Sequence, residues 1–322
     1  MPSFPKPRLV CSKCIEFDAC RWNGLTISSE IVRLLKPYVE FLPICPEVEI
    51  GLGVPRDPAR IISVDGQLRL FQPASGRDLT AEMEAMAEAF LTMHRDIDGF
   101  ILKSRSPSCG FKDVRVHHPE SGAVLSSKGV GIFAGVVKRR LPLVALEDEG
   151  RLMNYNLRHH FLTRVFVSAA FREVKEKATM QALVRFHTEN KYLLMAYHQA
   201  ELKKLGQIVA NRERLPLAQV LTLYEEHLYR ALARSPRRGT EINVLMHFLG
   251  YFEELSQAEK AFFLKNVELY RAGQIPLNVC TGILKAWIIR FNRSYLRDQT
   301  FLEPYPEGLI QPTDSGKGRN FD

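Results

Sequence analysis

Three cysteines, Cys14, Cys45 and Cys109, each follow a short apolar run that is typical of a buried strand. The clearest run is Gly99-Phe-Ile-Leu-Lys103, after which a proline and a glycine favour a turn. In α/β proteins the carboxyl ends of strands are where chemistry is usually placed. We therefore predict that the three thiols converge on one point, where they would act as metal ligands or as catalytic groups.

The spacing of the cysteines does not by itself decide between these roles. Cys11, Cys14 and Cys20 lie in one segment, whereas Cys45 and Cys109 are distant in sequence. This pattern matches neither a paired C-x-x-C zinc ribbon nor the compact four-cysteine run of a bacterial ferredoxin. A metal centre, a structural zinc and free buried cysteines therefore remain alternatives.

Length and composition restrict the class of protein. The 322 residues exceed one ordinary domain, and 46% hydrophobic with 25% charged residues is typical of a globular chain. No apolar run approaches the ~18 residues needed to cross a bilayer, and the first residues lack the apolar core of a signal peptide. We expect a cytoplasmic protein without membrane association, and no obligate protein partner is evident. Six cysteines in that compartment argue against a disulfide framework.

The net charge of +8 is confined to the second half of the chain. Residues 1–150 carry 19 basic and 19 acidic residues, so residues 151–322 carry 44 − 19 = 25 basic and 36 − 19 = 17 acidic. A neutral first half and a basic second half favour chemistry in one and polyanion binding in the other. Simple solubility is the alternative explanation.

Hydrophobic patterning predicts two domains of different class. In residues 1–150 short apolar runs alternate with helical segments, which indicates an α/β domain with a mostly parallel sheet. Its clearest helix is 78–94, with Asp78 as N-cap, and later apolar runs at 129–137 and 141–146 continue the strand pattern. Residues 151–312 show helical stripes such as Ile242, Leu245, Met246 and Leu249, which predict an all-α bundle. Residues 313–322 are expected to form a mobile tail.

Arginines cluster on the polar faces of the predicted bundle. Helical spacing places Arg290, Arg293 and Arg297 on one face, and Arg237 and Arg238 crowd the turn before another helix. Arginine clusters and helix N-termini bind phosphates well. We predict that these five residues contact RNA.

The first half also resembles the thiouracil desulfidase (TudS-like) family. The resemblance rests on Cys14-x5-Cys20-Arg-Trp-Asn-Gly24, on residues 45–56 (Cys-Pro-Glu-Val-Glu-Ile-Gly-Leu-Gly-Val-Pro-Arg) and on residues 101–110 (Ile-Leu-Lys-Ser-Arg-Ser-Pro-Ser-Cys-Gly). It implies a [4Fe–4S] cluster held by Cys14, Cys45 and Cys109, with one iron free of protein ligands. An open iron suits a thiocarbonyl sulfur, and polarising the C–S bond lets water replace it.

The same resemblance implies two groups that assist the reaction. Glu47 would move protons for the attacking water, and Ser106, or alternatively Ser108, would orient the base or the water. From the residues alone, the favoured interpretation is different. Glu47 would be a carboxylate at a helix N-terminus, and the serines would close the turn by hydrogen-bonding to the backbone. Arg21 and Arg56 are candidates for holding a carbonyl-rich or anionic substrate, or are salt-bridging arginines.

Two departures from the family pattern concern the metal ligands. Phe17 stands where the family commonly has glycine, and Cys11 is an additional cysteine before Cys14. Either Cys11 or Cys20 is an alternative fourth ligand, and binding by either would close the open iron.

The second half resembles a helical family of the YbgA type over about residues 165–310. The matching runs include Arg185-Phe-His-Thr-Glu-Asn-Lys-Tyr192 and Arg237-Arg-Gly-Thr-Glu-Ile-Asn-Val. The order of the two domains resembles the tRNA 4-thiouridine desulfidases (RudS-like), which implies conversion of 4-thiouridine in tRNA to uridine, with the helical part supplying RNA affinity. The alternatives are a desulfidase of free thiolated bases, and an RNA-binding protein with a structural or redox-sensing metal site.

Overall fold

A computed structural model describes residues 4–310 of the chain. These residues form two compact units, one of residues 5–169 together with 306–310, and one of residues 170–305. The division falls inside one long helix, and the boundary predicted at residue 150 stays a prediction. The predicted tail at 313–322 lies outside the described residues.

The first unit contains nine strands and four short or medium helices, followed by the start of a long helix. In chain order they are β1 (Arg8–Ser12), α1 (Glu30–Leu35), β2 (Glu40–Ile44), α2 (Pro46–Glu49), β3 (Arg60–Val64), β4 (Gln67–Gln72), β5 (Arg77–Asp78), α3 (Thr80–Met93), β6 (Gly99–Leu102), β7 (Val114–His117), β8 (Val124–Gly129), α4 (Ile132–Arg140), β9 (Ala145–Asp148) and α5 (Tyr155–Lys177).

A four-stranded parallel sheet forms the centre of this unit, in the order β2-β1-β6-β9. Strand β6 is buried at all four residues, as expected for a strand covered on both faces. Strands β1, β2 and β6 are neighbours, so their carboxyl ends meet at one edge of the sheet. The predicted α/β class with a parallel sheet is confirmed.

A second sheet of five strands was not predicted. Its order is β5-β4-β3-β7-β8, and it is mostly antiparallel. Its β3–β4 hairpin turns at Asp65 and Gly66, which both have positive φ (51° and 77°). This is the backbone conformation that an Asp-Gly turn favours.

Two local predictions in the first unit are wrong. The apolar run 129–137 belongs mostly to helix α4, because its buried residues Phe133, Val136 and Val137 follow a helical spacing on one face. Asp78 is not the N-cap of α3, which begins at Thr80. Asp78 instead ends β5, and its carboxylate accepts a hydrogen bond from the Thr80 N–H at 2.9 Å.

The second unit is helical, as predicted. It contains the end of α5, then α6 (Met180–Glu189), α7 (Lys191–Tyr197), α8 (Gln199–Ala210), α9 (Leu217–Ala231), α10 (Arg238–Leu249), α11 (Gln257–Arg271), α12 (Leu277–Arg290) and α13 (Ser294–Arg297). Rings of Phe171, Phe186 and Tyr224 pack together in its core. Of the predicted stripe, Ile242 and Leu245 are buried but Met246 is 41% exposed. No helix among residues 4–310 is long and apolar enough to cross a membrane.

Candidate metal centre and desulfidase site

The parallel sheet brings the three predicted ligands to one edge. Cys45 directly follows β2, Cys14 lies two residues beyond β1, and Cys109 lies in the loop after β6. The register pairs Ser12 with Ile44, so the ends of β1 and β2 are level. Each of the three cysteines is buried, and none forms a disulfide. The convergence predicted from the sequence is therefore present in the fold.

Burial controls the protonation of these thiols. It raises the pKa of Cys14 to about 11, and the nearby Cys45 adds to the rise, while Lys103 and Arg21 oppose it. Burial likewise raises the pKa of Cys109 well above its usual value, against a lowering hydrogen bond from Ser12. The Cys14 and Cys109 thiols are thus protonated at neutral pH, and a metal that binds them must release their protons.

The loop that carries Cys109 is fixed by backbone hydrogen bonds. The hydroxyl oxygen of Ser106 accepts the N–H groups of Ser108 (3.2 Å) and Cys109 (3.0 Å). The Pro107 and Ser108 carbonyls accept N–H groups from the first turn of α4, Ile132 at 3.1 Å and Ala134 at 3.2 Å. The N-terminus of α4 is therefore occupied by the loop, which positions the thiol of Cys109.

Two glycines make this close approach possible. A Cβ at Gly131 would lie 2.5 Å from the Ser108 carbonyl oxygen, and one at Gly110 would lie 2.7 Å from the Ser106 carbonyl oxygen. Because both neighbours are backbone atoms, any larger residue would push the loop away from α4.

Glu47 lies at the centre of a hydrogen-bonded group beside Cys45. One of its carboxylate oxygens accepts the Ser108 hydroxyl at 2.8 Å, and the other accepts Nε and Nη2 of Arg56 at 2.8 and 2.7 Å. The Glu47 and Arg56 side chains are only 12% and 6% exposed. Arg56 also donates to the carbonyl oxygens of Cys20 and Gly53, each at 3.1 Å. The carboxylate is thereby held in one orientation, close to the three thiols.

The two predicted serines have different positions. Ser108, the alternative, is the one that contacts Glu47. Ser106 closes the turn by accepting backbone N–H groups, which is the structural reading weighed for it above. The sequence could not separate them, since the choice depends on how the loop docks on α4. A catalytic role for either serine stays a prediction.

The two additional cysteines also differ. Cys20 lies against Cys45: burial raises its pKa to about 12, and the charge and hydrogen bond of Cys45 contribute. Cys11 is an inner residue of β1, fully buried, and alternation along the strand sends its side chain to the face opposite Ser12. Because Ser12 is the residue that bonds to Cys109, Cys20 is the better placed of the two alternative ligands.

Of the two predicted substrate arginines, Arg56 is tied to Glu47 and buried. Arg21 is partly exposed, and among residues 4–310 its side chain has no hydrogen-bond or ion-pair partner, so it is available to a substrate. The sequence did not single out Lys103 and Glu149. They form an ion pair at the ends of β6 and β9, and Glu149 also accepts the backbone N–H of Ser104 at 2.9 Å. Glu149 lies next to the predicted domain boundary at residue 150, and the charge count did not assign it a role.

The predicted RNA-binding arginines form two separate groups on the helical unit. The prediction of one shared helix face for Arg290, Arg293 and Arg297 is wrong, because α12 ends at Arg290 and Arg297 lies in the separate short helix α13. Arg290 pairs with Glu259 near the start of α11, and Arg293 pairs with Glu254 just before that helix. Arg297 donates to the Asn292 side chain at 2.9 Å.

The second group lies at the other end of α11. Arg237 and Arg238 open α10 and are exposed, and Arg238 packs on Gly273, just after α11 ends. The two groups are thus about 20 Å apart along α11, because a helix rises 1.5 Å per residue. Their contact with RNA stays a prediction.

The chemistry of the donors fits an iron–sulfur cluster. Within the described part of the chain, no group of three His, Cys, Asp or Glu side chains is arranged to hold a metal ion. Three thiols around one edge of a sheet, with no histidine among them, are the donors that such clusters use.

Comparison with known proteins agrees with this site. A sequence model for 2-thiouracil desulfurase matches residues 9–149, and one for a protein of unknown function (DUF1722) matches residues 191–306. The uncharacterized protein YbbK of Bacillus subtilis is 35% identical over 148 residues, which cover 44% of this chain and 96% of YbbK. The chain belongs to the 2-thiouracil desulfurase family. Its first half is thus a desulfidase domain, and C–S bond cleavage is the activity of that family.

Two further proteins are similar over about half of the chain. The uncharacterized protein YbgA of Escherichia coli is 27% identical over 148 residues, which are 45% of this chain and 88% of YbgA. A solved structure described as a [4Fe-4S]-dependent thiouracil desulfidase, TudS, is 28% identical with a TM-score of 0.38, and covers 46% of this chain and 93% of its own. The two family matches show that the chain joins a 2-thiouracil desulfurase domain to a second domain, of the DUF1722 family.

Proposed function

We propose that the protein converts 4-thiouridine in tRNA to uridine and releases the sulfur as hydrogen sulfide. Cys14, Cys45 and Cys109 would hold a [4Fe–4S] cluster. The observation that carries the proposal is the position of Glu47, whose carboxylate is hydrogen-bonded to Ser108 and Arg56 directly beside the thiol group. A purely structural or redox-sensing cluster has no need of an oriented carboxylate at its edge.

The protein's own groups account for the proton transfers. When bound, the cluster supplies an iron that takes sulfur as a ligand and polarises the C–S bond. Glu47 accepts a proton from water as the water oxygen bonds to the ring carbon and passes it to the sulfur. It then takes the remaining proton of the added hydroxyl as the C=O bond forms, and passes that proton to the departing sulfur. Arg56 keeps the carboxylate oriented, and the Ser108 hydroxyl donates to its other oxygen. The C–S bond breaks, a C=O bond replaces it, and one water is consumed per hydrogen sulfide, with no change of oxidation state.

The choice of tRNA rests on the second half of the chain. All of the +8 net charge lies in residues 151–322. Arg237 and Arg238 are exposed there at the start of α10 and leave their guanidinium groups accessible to phosphate. A free thiolated base would gain nothing from a basic helical unit.

The test uses anaerobically reconstituted protein and bulk tRNA that contains 4-thiouridine. We expect the thiocarbonyl absorbance to fall in step with sulfide release, and the Cys109→Ala variant to do neither. The matched control is Cys280→Ala, which removes a buried cysteine from the helical unit and leaves the thiol group intact. If 4-thiouridine persists in tRNA while the cluster is intact by its visible absorbance, the proposal is wrong.

Free 2-thiouracil is the second candidate substrate, because it is the substrate in the description of the matching family. Both substrates are assayed with the same preparation, and their kcat/KM values are compared. A free-base desulfidase predicts efficient turnover of 2-thiouracil and no effect of tRNA as a competitor. The tRNA assignment predicts the reverse order, with tRNA turnover falling as salt is raised.

A further inference from the structure

A basic pocket lies beside the loop that carries Cys109. It has a volume of about 260 Å³ and is bounded by strands β3 and β7 and by the turn at Pro107. Its polar lining consists of Arg60, Arg105, Arg115 and His117, and no carboxylate lines it. Arg60, Arg115 and His117 lie outside the segments that carry the family resemblance, and Arg105 lies within one of them without an assigned role.

The three arginines of the pocket are not neutralised by the protein. Among residues 4–310, none of Arg60, Arg105 and Arg115 forms a side-chain hydrogen bond or ion pair, and the Nε atom of Arg60 is buried without a partner. Arg105 and Arg115 are exposed and Arg60 is half-buried, whereas Arg56 and Arg151 in the same unit pair with Glu47 and Glu147. A buried guanidinium donor without an acceptor is unfavourable, so an anion that accepts from Arg60 would be bound favourably.

The strand register places two of the positively charged arginines next to each other. Strands β3 and β7 are parallel and pair Ile61 with Val116, which places Arg60 beside Arg115. Like charges on directly neighbouring positions of a sheet destabilise it, and an anion between them removes that repulsion. His117 is fixed next to them by its ring contact with the Gly122 carbonyl oxygen at 2.9 Å. Two adjacent guanidinium groups and a third from the loop match the several oxygens of a phosphate.

The pocket is within reach of the desulfidase site. Arg105 precedes Ser106, and the chain from Arg105 to Cys109 can span about 14 Å at most. Arg105 adopts a positive φ of 58°, a conformation that is uncommon outside glycine, where the chain turns from β6 into the loop. One loop therefore presents a thiol to the site and a guanidinium group to the pocket.

We propose that this pocket binds a backbone phosphate of the RNA next to the thiolated nucleotide. The inference rests on the proposed function and makes it more specific, because it places RNA recognition within the desulfidase unit itself. A free base has no phosphate to offer. The pocket thus favours a nucleotide within a chain over a free base, with Arg60, Arg105 and Arg115 as its specificity-determining residues.

The test measures RNA binding without turnover. The probe is a fluorescein-labelled single-stranded heptaribonucleotide with one central 4-thiouridine, followed by anisotropy with reduced, cluster-free protein over a series of salt concentrations. Arg115→Gln is expected to weaken binding about five- to tenfold, the effect of one typical solvent-accessible hydrogen bond. It should also reduce the slope of log K against log salt by about 0.7, the value for one phosphate of a single strand.

The matched control is Arg77→Gln, which removes the same charge from β5 of the same sheet, where Arg77 pairs with Glu82. It should bind as the wild type does. Circular dichroism checks that Arg115→Gln is folded, and Arg60→Gln provides an independent variant. If both pocket variants bind the RNA as tightly as Arg77→Gln, the inference is overturned, whatever the protein does to 4-thiouridine. Weakened binding by both supports the pocket even if no desulfuration is found.

Inorganic phosphate distinguishes the two sources of the ligand. Calorimetric titration of phosphate alone gives its affinity for the wild type and for Arg115→Gln. Strong phosphate binding that Arg115→Gln abolishes, together with unchanged RNA binding, would assign the pocket to free phosphate and refute the RNA assignment.

Discussion

The pairing of Glu47 with Arg56 predicts a large and coupled effect on stability. In Glu47→Gln, Arg56 loses a charged acceptor that it contacts at 2.8 and 2.7 Å, and keeps the carbonyl oxygens of Cys20 and Gly53 at 3.1 Å. Breaking a buried ion pair costs about 3–5 kcal/mol, and the two carbonyls offset part of this. We expect a loss of about 2–3 kcal/mol in the free energy of unfolding.

The assay is thermal unfolding of the reduced, cluster-free protein. For a unit of this size, 1 kcal/mol corresponds to roughly 2–4 °C, so the transition of residues 5–169 should fall by about 5–10 °C. The transition of the helical unit should not move. Arg56→Gln should have a similar effect, and the double variant should lose about 1.5–3 kcal/mol less than the sum of the two.

The catalytic consequence is separable from the structural one. Glu47→Gln is expected to reduce kcat on 4-thiouridine tRNA by about 10²–10⁴ with the cluster still bound, because the amide cannot accept the proton from water. Arg56→Gln retains the carboxylate and should lose less. The reasoning is refuted if loaded Glu47→Gln turns over within about threefold of the wild type. Additive stability effects in the double variant would refute the ion pair itself.

Three further predictions concern the loop, the thiols and the helical unit. Gly131→Ala should lower the unfolding free energy of the first unit by about 2–4 kcal/mol, because the new Cβ would lie 2.5 Å from the Ser108 carbonyl oxygen. Urea unfolding measures this loss. Gly135→Ala is the control, because a Cβ at that position has room. Burial raises the pKa of Cys14 to about 11, so on raising the pH the unfolded chain loses the Cys14 thiol proton before the folded chain does. The stability of the cluster-free protein should therefore fall between pH 9 and 11. A Cys14→Ser variant whose stability falls with pH as steeply as that of the wild type would contradict this. Burial also raises the pKa of Glu241 to about 7, although a hydrogen bond from Tyr270 opposes the rise. The unfolding free energy of the helical unit should therefore increase by roughly 1–3 kcal/mol as the pH falls from 8 to 5. Urea titrations at the two pH values measure this gain, and Glu241→Gln should remove it.

The parallel sheet and the convergence of the cysteines could be predicted from the sequence. Strands β1, β2 and β6 are short apolar runs, and a cysteine follows each within a turn or loop. Because neighbouring parallel strands end at the same edge of a sheet, this pattern was enough to predict that the cysteines converge. The helical class of the second half was equally clear, because its apolar stripes repeat at helical spacing over long segments.

The second sheet and the details of the site were beyond this reasoning for different reasons. The second sheet has one feature that the sequence could have indicated, the Asp65-Gly66 turn between β3 and β4. Its strands are short and half-exposed, so their hydrophobic pattern is weak. The contacts of Ser108 and Arg56 had no sequence signal, since they depend on how α2 and α4 dock. The arginine pocket depends on the register of β3 and β7, which no local pattern specifies.

The two arginine groups at opposite ends of α11 set a minimum size for any partner that engages both. Arg290 and Arg293 lie by the start of that helix, while Arg237 and Arg238 lie by its end, about 20 Å away. A mononucleotide or a trinucleotide can occupy only one group at a time. A longer polyanion that reaches the second group does so at high effective concentration. If RNA is the partner, as proposed, we expect the helical unit to bind long RNA more tightly than its fragments.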